Sequence, residues 1–392
     1  MKSRLAYVAF LGICLFSCQK DSSIDATSVS ADCLVKAAST NGMAIVGSYI
    51  VTYQPTQSLP TAPNARMAAT EVLAERLLTT YAVVNPTAEI LVADEQTTFL
   101  AHLSESESET LRQDPSVVLI EPDQIVSMCS CVDVTTTSTL TWSVKQTGYG
   151  RGDLQTSKTA WIIDTGIDLD HPDLNVDTQR SRSFISGVTS ADDENGHGTH
   201  IAGVIGAKNN SIGITGVASG AKLVALRVLD DDGEGRLSGI IQAINYVYQN
   251  GKAGDVVNLS LGGESTSASL DRAVTQAANA GILFAIAAGN ESKSADNYSP
   301  ARVNNANVFT VSAMDSKNQF ASFSNFGTSV DVCAYGVRIT STYKDGKYAT
   351  LSGTSMAAPH VAGLLLIRGN KFPTHGTVQG DPDGKADPMA GE

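Results

Sequence analysis

Basic charge is what this 392-residue chain has least of: 27 Lys and Arg stand against 40 Asp and Glu, a formal net charge of −13. A field of that sign repels polyphosphate and no basic stripe interrupts it, which argues against nucleic acid as a partner. Long apolar runs are missing beyond the first residues, so no transmembrane helix is expected in the mature chain. What is present is 42% hydrophobic residues and 34 glycines, the make-up of a globular α/β protein with many tight turns rather than of a disordered one. The length suits one large domain with a small companion, or two ordinary ones.

The one long apolar run lies at the start. Lys2 and Arg4 precede Leu5 to Phe16, too short to span a bilayer and arranged like an export signal. Leu15-Phe16-Ser17-Cys18 resembles a bacterial lipobox, in which Cys18 is lipidated and anchors the protein to a membrane; an ordinary signal peptide with Cys18 incidental is the alternative. Residues 1–18 read as signal and 19–42 as a polar tether.

Residues 43–128 read as a small α+β unit. Ser48 to Tyr53 is strand-like, and Ala65 to Tyr81 carries Met67, Val72, Leu73, Leu77 and Leu78 at helical spacing. Strand-like Ile90 to Val92 and Thr98 to Ala101 follow. Ser104 with Glu107 forms a capping-box pattern for a second helix through Gln113, and Val117 to Ile120 closes the unit. The order β-α-β-β-α-β predicts a ferredoxin-like domain.

From Trp142 onward apolar strands alternate with helices: 159–164, 197–207, 222–229, 237–248, 256–261, 269–280 and 282–287. That alternation predicts an α/β, doubly wound, mainly parallel sheet over 142–392, with sites at the carboxyl ends of its strands. Asp164, Ser260 and Asn290 fall there.

Three segments then carry chemistry. Trp161 to Ile167 is a strand ending in Asp164 and a glycine turn, Asn195 to His200 sets His197 between glycines at a helix start, and Gly353 to His360 places Ser355 at a loop-to-helix junction. A serine hydroxyl is a poor nucleophile at neutral pH and needs a base, for which His197 is the candidate. Asp164 would fix the imidazole tautomer and stabilise the imidazolium, and Asn290 would donate to a developing oxyanion beside the Ser355 N–H. Each segment alone reads as a turn or a helix cap; together, in this order, they point to nucleophilic hydrolysis. His197 and His200 have metal-ligand spacing, but no third donor accompanies them. His200, His171 and His360 are read as structural, and His102 and His375 lie outside the motifs.

These motifs resemble the subtilisin-like serine proteases over most of 142–368. The proteinase K-like branch is suggested by Leu229-Asp230-Asp231-Asp232-Gly233-Glu234-Gly235, Asn297-Tyr298-Ser299-Pro300-Ala301 and Ser322-Phe323-Ser324-Asn325-Phe326-Gly327. Residues 43–128 resemble that family's inhibitor-type propeptide through Tyr49-Ile50-Val51, Phe99-Leu100-Ala101-His102-Leu103-Ser104, Asp114-Pro115-Ser116-Val117 and Ile120-Glu121-Pro122-Asp123. The resemblance implies a secreted or envelope-anchored endopeptidase made as a self-processed zymogen. Its propeptide is an intramolecular inhibitor, cut off within a junction at 129–141. Polypeptides are the expected substrates and a monomer the expected state.

By the same resemblance, Gly233, Glu234 and Gly235 form one edge for substrate pairing and Ser260, Leu261 and Gly262 the other, with Leu237 lining an outer apolar subsite. Catalysis needs no cofactor, but structural calcium is implied: Lys208, Asn210, Ile212 and Ile214 resemble the family's high-affinity loop, with Asp173 as its carboxylate. Asp331 with the carbonyls of Ala306 and Val308 is a second, weaker candidate. Asp381-Pro382-Asp383-Gly384 with Asp387 offers a third candidate, against which a polar tail is the favoured reading. Ile201 stands where some proteinase K-like enzymes carry cysteine, and Gly369 to Glu392 lacks the family's closing amphipathic helix. Cys33 with Cys129 or Cys131 could form a disulfide tether in an exported protein, or all three could stay unpaired. The intact Asp164, His197, Asn290 and Ser355 speak against an inactive, peptide-binding relative.

Overall fold

The computed structural model describes residues 40–127, 139–150, 157–263 and 265–392. The export signal, Cys18 and the cysteines at 33, 129 and 131 lie outside the described residues.

The N-terminal unit runs β1 (Ala44–Tyr53), α1 (Pro63–Thr80), β2 (Ala88–Val92), β3 (Thr97–His102), α2 (Glu105–Leu111) and β4 (Val117–Ser127). It is the expected β-α-β-β-α-β order, folded as an antiparallel sheet β4-β1-β3-β2. Its own core gathers Val51, Tyr53, Ala74, Leu78, Phe99, Leu111 and Ile120. The Ser104–Glu107 pair makes a full capping box at α2, and the helix stops at Leu111, two residues before the sequence pattern ends. Strand β4 continues well past Ile120, through Pro122 and Asp123.

The larger unit runs β5 (Thr139–Leu140), α3 (Trp142–Gln146), β6 (Thr159–Asp164), β7 (Arg182–Ser183), α4 (His197–Gly206), β8 (Ile214–Thr215), β9 (Lys222–Arg227), β10 (Glu234–Arg236), α5 (Leu237–Asn250) and β11 (Val256–Leu259). It continues with α6 (Ala268–Asn279), β12 (Leu283–Ala287), β13 (Val308–Met314), β14 (Val332–Tyr335), β15 (Ile339–Tyr343), β16 (Lys347–Leu351), α7 (Thr354–Arg368), β17 (Thr374–Thr377) and β18 (Pro388–Ala390). Nine strands form one sheet in the order β17-β18-β14-β13-β12-β11-β6-β9-β7, parallel except at β17–β18. Every residue of β6, β11 and β12 is buried, which is why these strands read as unbroken apolar runs: a parallel sheet covered on both faces has no polar side to alternate with.

The chain passes from β6 to β9 on one side and later to β11 on the other. The order therefore reverses beside β6, and the crevice at the carboxyl ends of β6 and β11 is the switch point. Helix α7 is buried from Thr354 to Leu366. Each fully buried Leu or Val there contributes roughly 1.5–3 kcal/mol, which holds the helix start, and with it Ser355, against the sheet. After α7 the hairpin β17–β18 extends the sheet. Asp387 lies just before β18, nearly fully buried, and accepts a 2.7 Å bond from Ser312 Oγ.

Candidate active site

Asp164 ends β6, and His197 opens α4. They meet because Gly198 has no side chain: a Cβ there would lie 2.1 Å from the carbonyl oxygen of Gly166. The His197 Nδ1 to Asp164 Oδ1 distance is 2.8 Å, with both side chains fully buried. The same Oδ1 accepts from Thr165 N–H at 2.8 Å. Asp193 fastens the entry to α4, accepting from Asn195 and Gly196 N–H through one oxygen and from Thr199 N–H and Oγ1 through the other. His197 Nε2 has no hydrogen-bond partner among the described residues.

Ser355 is the second residue of α7 and is 4% exposed. Its hydroxyl donates to the Ser260 carbonyl at 3.1 Å, and Ser260 Oγ donates to the Ser355 carbonyl at 2.9 Å. The serine is thus turned toward the strand β11 side, and the Ser355–His197 hydrogen bond is not made in this conformation. Asn290 follows β12. Its Oδ1 accepts from Thr354 N–H at 2.8 Å and Thr354 Oγ1 at 3.0 Å, which fixes the amide nitrogen on the opposite side of the carboxamide. Ser260, Leu261, Gly262, Asn290 and Ser355 line a cavity of about 50 Å³ together with Asn41 and Ser127.

The small unit lies along the crevice. Its strand β4 pairs antiparallel with β10, setting Ser127 opposite Glu234, Val126 opposite Gly235 and Ile125 opposite Arg236. The other edge is near as well: a Cβ at Gly263 would lie 3.9 Å from the Val126 side chain. Leu237 is buried at the start of α5. Thr40, within the segment read as a tether, bonds Glu234 Oε1 at 2.7 Å, and Gly42 N–H bonds the Ile125 carbonyl.

Glu121 and Asp123 cap two helices of the larger unit. Asp123 accepts from Ser238 N–H at 3.0 Å and Ser238 Oγ at 2.8 Å, at an α5 end that has no side-chain cap of its own. Glu121 accepts from Ser267 Oγ at 2.7 Å, Ser269 N–H at 3.1 Å and Ala268 N–H at 3.3 Å at the α6 end. Burial pushes the Asp123 carboxyl above its ordinary range, against the pull of the Ser238 bonds. Sequence reasoning quoted both acids as part of a motif and gave them no role. The available signal was acidic residues spaced by two on a strand, awaiting helices led by Ser238 and Ser267.

Of the ion-site candidates, Asp173 is fully buried and is met by Asn210 Nδ2 at 2.9 Å, Ile214 N–H at 2.9 Å and Tyr348 OH at 3.2 Å, while its carbonyl accepts from Lys208 N–H. Ile212 N–H bonds Asn210 Oδ1. Asp331 Oδ2 accepts from Thr310 N–H, and the Ala306 carbonyl accepts from Asn370; Val308 opens β13. Among the described residues no three His, Cys, Asp or Glu side chains are grouped to hold a metal ion. His200 bonds the Ile339 and Ala349 carbonyls and His360 the Met356 carbonyl, and burial lowers their pKa values to about 3 and about 4. Both are neutral core histidines, as read.

A buried Asp–His pair at the switch point of a parallel sheet, a serine at a buried helix start and an antiparallel domain laid over the crevice define a serine peptidase carrying its inhibitor. Comparison with known proteins agrees. The Subtilase family matches residues 161–379 and Peptidase inhibitor I9 matches residues 48–128. The chain is 41% identical to the thermostable alkaline protease of Halalkalibacterium halodurans over 70% of its own length and 73% of that protein's. It is 47% identical to subtilisin BL of Lederbergia lenta over 56% of this chain and 78% of that one. A crystal structure of a cold adapted subtilisin-like serine proteinase superposes with a TM-score of 0.58 at 34% identity, covering 65% of this chain and 98% of the other. The chain belongs to the subtilase family and is a serine endopeptidase preceded by an I9 inhibitor domain.

Proposed function

We propose that peptide bonds are hydrolysed through an acyl-enzyme on Ser355, with His197 as base, Asp164 as its orienting carboxylate and Asn290 as an oxyanion donor. The observation that carries this reading is the buried 2.8 Å contact between His197 Nδ1 and Asp164, which leaves Nε2 unpartnered. Rotation of the Ser355 hydroxyl away from Ser260 lets it give its proton to Nε2 as Oγ attacks the carbonyl carbon. The oxyanion that forms accepts from the Asn290 amide and the Ser355 N–H. Nε2 then protonates the leaving amine, and water, deprotonated by the same nitrogen, releases the acid and restores the serine.

Substrate adds as a strand between Glu234–Arg236 and Ser260–Gly262, taking on the first edge the place that β4 fills now, with Gly233 ending that edge and Leu237 and Leu261 supplying apolar contact. A serine-directed organophosphorus reagent tests the assignment: it should label Ser355 stoichiometrically. Labelling that persists in Ser355→Ala, or is untouched by His197→Ala, contradicts it.

The precursor is built as signal 1–18, tether 19–42, propeptide 43–128, junction 129–141 and catalytic domain 142–392, and it cuts itself between about Met128 and Leu140. Export follows from the signal pattern, and Cys18 is the lipid site. Activation then separates anchor from enzyme unless a disulfide from Cys33 to Cys129 or Cys131 holds them. Fractionation of cells and medium with and without reductant tests this: a processed catalytic domain that stays membrane-bound after reduction contradicts both versions.

Calcium is a structural ion and not part of the chemistry. Asp173, the Asn210 carboxamide and the carbonyls of Lys208, Ile212 and Ile214 would make the oxygen-only set a hard cation takes once the carboxamide turns its oxygen toward Asp173, and the full burial of the Asp173 carboxylate supports the fit. Asp331 with Ala306 and Val308 is the weaker site. The enzyme acts as a monomer, and its place in the proteinase K-like branch rests on the three loop motifs alone.

A further inference from the structure

We propose that Asn325 is a positioning residue for catalysis, holding the loop that carries Asn290; this rests on Asn290 being the oxyanion donor. Asn325 is fully buried, and its carboxamide spends all of its bonding capacity on one loop. Nδ2 donates to the Ala288 carbonyl at 2.9 Å and to Glu291 Oε2 at 2.8 Å, while Oδ1 accepts from Glu291 N–H at 3.1 Å and Lys293 N–H at 2.9 Å. Its backbone N–H adds a bond to the Gly289 carbonyl at 2.9 Å. Two donors and two lone pairs are the whole inventory of an asparagine side chain, so the loop has one seating on it.

The hold reaches Asn290 itself. The Glu291 oxygen that accepts from Asn325 also accepts from Asn290 N–H at 2.9 Å. On the other flank Thr354 pins the Asn290 carboxamide, and Thr354 Oγ1 accepts from Gly289 N–H at 3.2 Å. Asn290 is therefore fixed at its backbone from the Asn325 side and at its side chain from the helix that bears Ser355. Gly289 makes the approach possible: it sits at φ +104°, and a Cβ there would lie 2.3 Å from Asn325 Nδ2. Asn325 does not line the cavity next to Ser355 and acts only through the loop.

The donor to an oxyanion must sit where the charge appears, and displacement by about 1 Å can cost on the order of 100-fold in rate. Asn325→Asp keeps the shape but turns both donations into repulsions, with the Ala288 carbonyl and the Glu291 carboxylate. We expect kcat to fall about 10- to 100-fold with KM changed less than about twofold. In an Asn290→Ala background the same change should cost less than about threefold, because the donor it positions is gone. Independent, multiplicative losses in the double variant, or a loss confined to KM, overturn the proposal. An Asn290→Ala enzyme with undiminished kcat instead overturns the oxyanion assignment beneath it. Should Asn325→Asp fail to mature, Glu291→Ala removes the acceptor of Asn290 N–H, and with it one of the two acceptors of Asn325 Nδ2, while Asn325 itself stays in place. It should show the same kcat-selective loss and the same coupling to Asn290; independence from Asn290 there also overturns the proposal.

Discussion

Removing the Asp123 carboxylate isolates how the inhibitor domain is held. In Asp123→Ala the N-terminus of α5 loses its only side-chain cap and Ser238 Oγ loses its acceptor. A cap is worth about 1 kcal/mol and a charge-assisted hydroxyl bond about 1.5–3 kcal/mol. Against these stands the cost of burying the carboxylate, visible in its raised pKa. The net loss is about 2 kcal/mol, or roughly 30-fold in affinity. Glu121→Ala should cost a similar amount at α6. The two acids serve different helices and share no partner, so their effects should add to roughly 10²- to 10³-fold in the double variant. The assay is the lag between self-cleavage and peptide-substrate hydrolysis, which reports departure of the cut propeptide, with exposed Glu105→Ala as the control. A double variant whose lag matches that of the control refutes the capping argument.

Two further outcomes follow from buried carboxylates. Burial, with Asp381, Asp383 and Asp331 nearby, raises the Asp387 pKa to about 7 against the help of Ser312. A carboxyl whose folded pKa lies above its unfolded value of 3.8 favours folding below that value, and the advantage is lost as pH rises through 7. In a Ser355→Ala background that prevents autolysis, Asp387→Asn should therefore raise the melting temperature at pH 9, by at most about 4 kcal/mol of stability, and do little at pH 4; a pH-independent effect contradicts this. Chelator should lower the melting temperature of the same background by mass action, and Asp173→Asn should shrink the effect; indifference to chelator and to added calcium removes the calcium proposal.

The sequence made the local parts of this protein readable and the non-local ones obscure. The buried parallel strands, the Ser104–Glu107 cap and the Asp, His, Ser order could be read because each depends on a few neighbouring residues. Strand β4 was cut short at Ile120, since Pro122 between two acids looks like a strand end. It continues because Glu121 and Asp123 are taken up by helix termini over a hundred residues away. The closing hairpin β17–β18 gave no periodic signal, for it extends a sheet edge with short strands. Asn325 stood in a quoted motif without a role, because only the folded loop shows that all four of its hydrogen bonds go to one place.

The central claim, that Ser355 performs the chemistry and first performs it on its own chain, is tested most directly by the mass of the purified Ser355→Ala protein. The account predicts a folded precursor with the inhibitor domain still covalently joined to the catalytic domain, beside a wild type cut between them. A Ser355→Ala protein that matures unaided to the wild-type mass contradicts it.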